Sequence, residues 1–272
     1  MAGRPVHTMD PRHIRRIILE QSHRAHVGHI GCALSVADVI AALYGGVLRI
    51  DGPDAAERDR FIMSKGHAAL ALYAALHLKG WLTRQQLDTF CGDGTLLGVH
   101  PEQALAGVDF ATGSLGHGLS IAAGSALAAR LQGSSRRAFA LLSDAECNEG
   151  SVWEAAMFSA HHRLSNLVAV VDLNGQQALG HTEDVLDLSP LANRWREFGW
   201  NVIEEDAGEP AASARMAARL NELDTSSGPP SVLIAKTCFG KGVSFMENRV
   251  KWHYWPLSDD EYTQALQELD AS

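Results

Sequence analysis

The residues best suited to chemistry lie in two short segments, Ser143-Asp144-Ala145-Glu146-Cys147-Asn148-Glu149-Gly150 and, thirty residues after Asp144, Asn174-Gly175-Gln176. Apolar runs at 138–142 and 167–171 precede them, with a helical stretch near 153–158 between. Near-continuous apolar runs joined by a helix predict parallel strands buried on both faces. Open sheets of this kind bind ligands beyond the carboxyl ends of their strands, so Asp144 and Asn174 can approach one point. A carboxylate, an amide oxygen and a backbone carbonyl are hard donors suited to Mg²⁺ or Ca²⁺, which often complete their shells with phosphate oxygens. The pair of segments therefore points to a diphosphate held through a metal. For either segment alone the plainer reading holds: Asp144 caps the next helix, and Asn174-Gly175 is a turn.

Upstream, Thr112-Gly113-Ser114-Leu115-Gly116-His117-Gly118 runs into an Ala-rich helix. Its glycines allow backbone N–H groups to approach an anion and the helix start adds a favourable dipole, although glycine loops are common. Gly28-His29-Ile30-Gly31, Lys65-Gly66-His67-Ala68 and Gly98-Val99-His100-Pro101 each place a histidine in a loop beside glycine. Such groups can serve as general acids, bases or phosphate donors near neutral pH; a lone one is more often structural. His23, His26, His77, His161 and His162 fall within helical patterns and read as background.

The elements that must position these residues follow from periodicity and punctuation. Asp10-Pro11 forms an N-cap with proline at the first helical position, and Ile14, Ile17 and Ile18 continue at helical spacing. Helical patterns recur over 35–44 and 67–78 and after Thr83, which makes a capping box with Gln86. The first hundred residues thus read as mostly helical. Beyond them strands and helices alternate, with further strands at 201–203 and 231–235 around a helix at 210–223. The loop 226–230 interrupts one sheet rather than joining two domains. An α/β fold follows: a parallel sheet sandwiched by helices, with a helical N-terminal segment, in one domain spanning 1–272.

Composition sets the limits. A net charge of −9 lacks the Lys/Arg surplus of a nucleic-acid-binding face. No apolar run near Met1 to Met9 resembles a signal peptide and none elsewhere reaches a membrane span, which makes a cytoplasmic protein the expectation. Cys32, Cys91, Cys147 and Cys238 are scattered, with no Cys-x-x-Cys pair to suggest a zinc or redox site, and most read as buried thiols.

Taken in order, these motifs resemble the amino-terminal half of transketolase, and more closely the separately encoded amino-terminal subunit of split transketolases. The likeness runs from Gly28-His29 through Ser64-Lys65-Gly66-His67, Gly98-Val99-His100-Pro101, the 112–116 loop, Asp144 and Asn174 to Lys241-Gly242-Val243-Ser244-Phe245-Met246-Glu247-Asn248. The resemblance implies the diphosphate-binding domain of the thiamine diphosphate fold. Asp144, Asn174 and the carbonyl of Gln176 would hold Mg²⁺, or Ca²⁺ or Mn²⁺ in its place. His67, Gly113, Ser114, Leu115 and Ala145 would surround thiamine diphosphate. His29, His100 and His253 would bind donor hydroxyls and assist proton transfer, and Glu149 would face a glutamate of the partner.

The implied reaction is transfer of a two-carbon ketol unit from a ketose-like donor to an aldehyde-like acceptor. The family's pyrimidine-binding domain is absent here, so a separate C-terminal subunit would supply it, in an α2β2 assembly whose contact surface on this chain is apolar. Rival readings are the α subunit of a 2-oxo acid dehydrogenase and a non-catalytic scaffold subunit. The histidine series speaks against the first. For the second the one hint is Ala145, where the family usually has glycine. A positive φ there, or very close approach to the diphosphate, would strain the loop by about 1–2 kcal/mol, whereas with a negative φ Ala would do little harm.

Overall fold

The computed structural model describes residues 9–271; residues 1–8, the stretch read as lacking a signal peptide, lie outside them. Five strands, β1 (Arg60–Met63), β2 (Ala138–Ser143), β3 (Leu167–Leu173), β6 (Asn201–Asp206) and β7 (Ser231–Lys236), form a parallel sheet in the order β1-β2-β3-β7-β6. Two-residue strands β4 (Gln176–Gln177) and β5 (Gly180–His181) pair in an antiparallel ribbon.

Alternation along the central strands divides the core. Phe139 and Leu141 of β2 and Val168 and Val170 of β3 join one apolar cluster, while Ala140, Leu142, Ala169 and Val171 join the other. The first cluster contains side chains of helices α1 (Pro11–Ala25), α2 (Ile30–Ser35), α3 (Ala37–Ala42) and α4 (Ala69–Leu78). The second contains side chains of two later helices, Gly118–Leu131 and Gly150–His161. A sheet covered on both faces gives the near-continuous apolar strands from which it is recognised.

Local signals hold where they were strong. Asp10 accepts the Arg12 backbone N–H at 2.9 Å with Pro11 at the helix start. Thr83 and Gln86 form both bonds of the capping box. Boundaries move by a few residues: the strand expected at 201–203 continues through Glu204, Glu205 and Asp206 at the sheet edge, and the helix expected at 210–223 is Ala212–Asn221. Strand β1 went unrecognised among the helical patterns of the first hundred residues. Its apolar run is only Phe61-Ile62-Met63 after charged Arg58-Asp59-Arg60, too short for periodicity to identify. Among the described residues no helix is long and apolar enough to cross a membrane. Of the cysteines, Cys32 and Cys147 are buried while Cys91 and Cys238 are only half-buried, fewer buried thiols than their scatter suggested.

Candidate active site

Four strand ends converge on one point. Ser64 and Lys65 follow β1, Asp144 follows β2, Asp172 and Asn174 sit at the end of β3, and Thr237 follows β7. The ladder continues past the strands through the Lys65 N–H to Leu141 O (3.2 Å), Asp144 N–H to Asp172 O (3.1 Å) and Thr237 N–H to Leu173 O (3.1 Å). Parallel register thus fixes these side chains at one level of the sheet.

Asp144 and Asn174 are brought together as their spacing predicted. One carboxylate oxygen of Asp144 accepts the Ala145 N–H and the other accepts the Gly175 N–H, each at 2.8 Å. Burial, and then the neighbouring Asp172 carboxylate, push Asp144 up to about 7 against those two bonds. The Asn174 amide donates to Asp172 Oδ2 at 2.9 Å, which leaves its carbonyl oxygen to accept the Gln176 N–H at 2.9 Å and to offer a remaining lone pair. Gln176 is buried, and its Oε1 has no hydrogen-bond partner. A crowded carboxylate and an amide oxygen with a lone pair to spare are donors that fit a hard cation.

Two groups at this centre have roles that the sequence motifs do not reveal. Asp172 and Lys65 are fully buried and ion-paired. Burial pulls the Lys65 ammonium down, but Asp172 together with Cys32 and Asp144 outweighs it and holds the ammonium above its usual range. Ser35 also donates to Asp172, at 2.7 Å, and Thr237 hydrogen-bonds it. Asp172 is therefore the hub that orients Asn174. The available signal was a charged residue in or beside each of two separate motifs, Lys65 before Gly66-His67 and Asp172 before Asn174-Gly175, but only packing reveals that they meet.

The histidines assemble beside this hub. His29, His67 and His253 have ring centroids 5.3–5.7 Å apart. The His29 N–H donates to the His253 carbonyl at 3.3 Å, and a Cβ on Gly28 would lie 2.3 Å from Tyr254 O, so only glycine lets the two segments close. Burial, then proximity to His100, lowers the His29 ring; burial, then Lys65, holds His67 well below its usual range. Burial, then His29, brings His253 to about 4. In all three the shift favours the neutral imidazole. The His100 ring lies at the glycine loop, where a Cβ on Gly113 would come within 3.3 Å of it.

In that loop Ser114 is exposed and Leu115 half-buried. Gly116 takes φ +86° and donates its N–H to Glu146 Oε1 at 2.8 Å. Glu146 is fully buried and also bonded to Ser64, so it ties the loop to both strand ends. Glu149 begins the helix Gly150–His161 and is exposed. Ala145 opens a short 3₁₀ turn and is absent from the described residues with positive φ, so the strain its side chain could have introduced does not arise. The background histidines have structural contacts: His23 stacks on Tyr262, and His77 Nδ1 lies 2.8 Å from Leu82 O.

Comparison with known proteins agrees with this geometry. The family described as "Transketolase, thiamine diphosphate binding domain" matches residues 7–271. A subunit of the apulose-4-phosphate transketolase of Phocaeicola vulgatus is 39% identical over 257 residues, covering 94% of this chain and 90% of that one. The 6-deoxy-6-sulfo-D-fructose transketolase subunit SqwG of a Clostridium species is 38% identical, covering 94% of both. A Pichia stipitis transketolase variant solved with fructose-6-phosphate superposes with a TM-score of 0.89 at 28% identity, over 98% of this chain but 41% of that one. The chain thus spans about two-fifths of the solved transketolases and nearly all of the relatives named as subunits. With the family match covering nearly the whole chain and relatives at 38–39% identity along it, the chain belongs to the transketolase family as its thiamine-diphosphate-binding domain.

Proposed function

We propose that this chain is the cofactor-holding subunit of a two-component transketolase, which moves a two-carbon ketol unit from a ketose donor to an aldehyde acceptor. The observation that carries the reading is the convergence of Asp144, Asn174 and Gln176 beside the cluster of His29, His67 and His253. Asp144, Asn174 and the Gln176 carbonyl would hold Mg²⁺, and His67, Gly113, Ser114, Leu115 and the Ala145 N–H would line the diphosphate. Bound thiamine diphosphate supplies a nucleophilic carbon that accepts and hands on the two-carbon unit. Neutral imidazoles at His29 and His253 can take a proton from a donor hydroxyl and return it, with His100 orienting the same substrate.

The exposed Glu149 would face the partner's glutamate. Exposed Tyr254 and Trp255 directly follow His253, and Tyr254 packs against its ring, so apolar surface lies beside the histidine cluster where a second chain would dock. The near-complete coverage of relatives named as subunits supports a separate partner, and α2β2 is the proposed assembly, in the cytoplasm. The absence of a positive φ at Ala145 speaks against backbone strain there and so against the scaffold reading.

The test is reconstitution. Ketol transfer should require this chain, a pyrimidine-domain subunit, thiamine diphosphate and Mg²⁺ together, and native mass measurement should give two copies of each chain. Turnover of a ketose by this chain alone, or oxidative decarboxylation of a 2-oxo acid by the complex, would refute the proposal.

A further inference from the structure

A thiol lies beneath the histidine cluster. Cys32 is in the first turn of α2, three residues after His29, so the two share one side of the helix start. His253 reaches the same point from 221 residues away, and its Nδ1 is 3.6 Å from Cys32 Sγ. One ligand atom from each of His29, Cys32 and His253 can be chosen so that all lie within 4.8 Å of one another. His29 Nδ1 is buried and has no hydrogen-bond partner. A tetrahedral ion with Zn–S of about 2.3 Å and Zn–N of about 2.0–2.1 Å separates sulfur from nitrogen by about 3.6 Å. The Cys32–His253 pair already has that separation.

We propose that His29, Cys32 and His253 form a binding site for a borderline-soft divalent cation of the zinc class, distinct from the oxygen-lined site at Asp144, Asn174 and Gln176. One sulfur and two imidazoles select Zn²⁺ or Co²⁺ over Mg²⁺, which demands oxygen donors. On binding, the Cys32 thiol releases its proton to solvent, the ion sheds water, and a fourth position remains for water. Spacing among the cysteines does not show this site, because two of its three ligands are histidines. Its consequence rests on the proposed function: the ion occupies two histidines assigned to the donor and so inhibits ketol transfer competitively with the donor.

Cobalt(II) titration of the reduced full-length chain tests binding without the partner. A thiolate-to-cobalt charge-transfer band should grow to one equivalent, be bleached by Zn²⁺ and survive excess Mg²⁺. It should be lost in Cys32→Ala and in Cys32→Ser, the latter guarding against a packing defect, and kept in Cys91→Ala/Cys238→Ala. Absence of the band, its persistence in either Cys32 variant, its loss in the double variant or its displacement by Mg²⁺ would overturn the site. In the reconstituted enzyme Zn²⁺ should raise the apparent KM for the donor, and Cys32→Ala should keep basal turnover while losing that sensitivity. Band formation without inhibition would leave the metal site standing and remove His29 and His253 from the donor site.

Discussion

Replacing Asp172 by Asn tests the hub beneath the cofactor site. The carboxylate is fully buried, paired with fully buried Lys65, and accepts hydrogen bonds from Ser35 and Asn174. Asn at this position can still accept from those donors but leaves the Lys65 ammonium without its partner. Breaking a buried pair by removing one member costs about 3–5 kcal/mol. Part of this is returned, because Asp172 is the charge that, after burial, pushes Asp144 up. The expected loss is therefore near the lower bound, about 3 kcal/mol, or a fall of roughly 6–12 °C in Tm at about 2–4 °C per kcal/mol. Replacing both charges by a neutral pair is often nearly neutral, so Asp172→Asn/Lys65→Met should recover at least about 2 kcal/mol of the deficit. Urea unfolding of the isolated chain, followed by circular dichroism, measures all four corners of the cycle. A single-variant cost under about 0.5 kcal/mol, the range of an ordinary surface change, or no recovery in the double variant, would show that the pair is not the buried hub described here.

Three further expectations concern the site. Ala145→Gly should leave thiamine diphosphate affinity within about twofold of the parent, below about 0.5 kcal/mol, in calorimetric titration of the reconstituted complex, since φ at Ala145 is not positive; a tenfold gain would mean that the methyl group crowds the diphosphate. His29→Ala should lower turnover by about 10²–10⁴-fold with cofactor affinity retained, and loss of cofactor binding with normal saturated turnover would reverse its assignment. For pH, His253 titrates near 4 when folded and near 6.5 when unfolded. The unfolded chain therefore binds more protons in that window, and stability falls as pH drops from about 6.5 toward 4. His253→Gln should flatten the dependence of Tm on pH between 7 and 5, and an unchanged slope would place the titration elsewhere.

The central sheet was legible because burial on both faces leaves an apolar run that no polar residue interrupts, as at 138–142 and 167–171. Asp144 and Asn174 were legible because strand ends joined by one helix must be neighbours in a parallel sheet, whatever the remaining packing. Strand β1 was hidden by its brevity, yet it places Lys65 and orders the chain toward His67. Sequence alone determined the fold class and the ordered motifs, since these depend on local periodicity and on the order of residues along the chain. Only the tertiary structure decided that Lys65 pairs with Asp172, that Glu146 ties the glycine loop to Ser64, and that Cys32 meets His253. These contacts join residues tens to hundreds of positions apart, and they form because burying a charge or a polar atom is favourable only when its partner is buried with it. The backbone angle at Ala145 belongs with them: composition left its sign open, and the 3₁₀ turn that follows Asp144 made it negative.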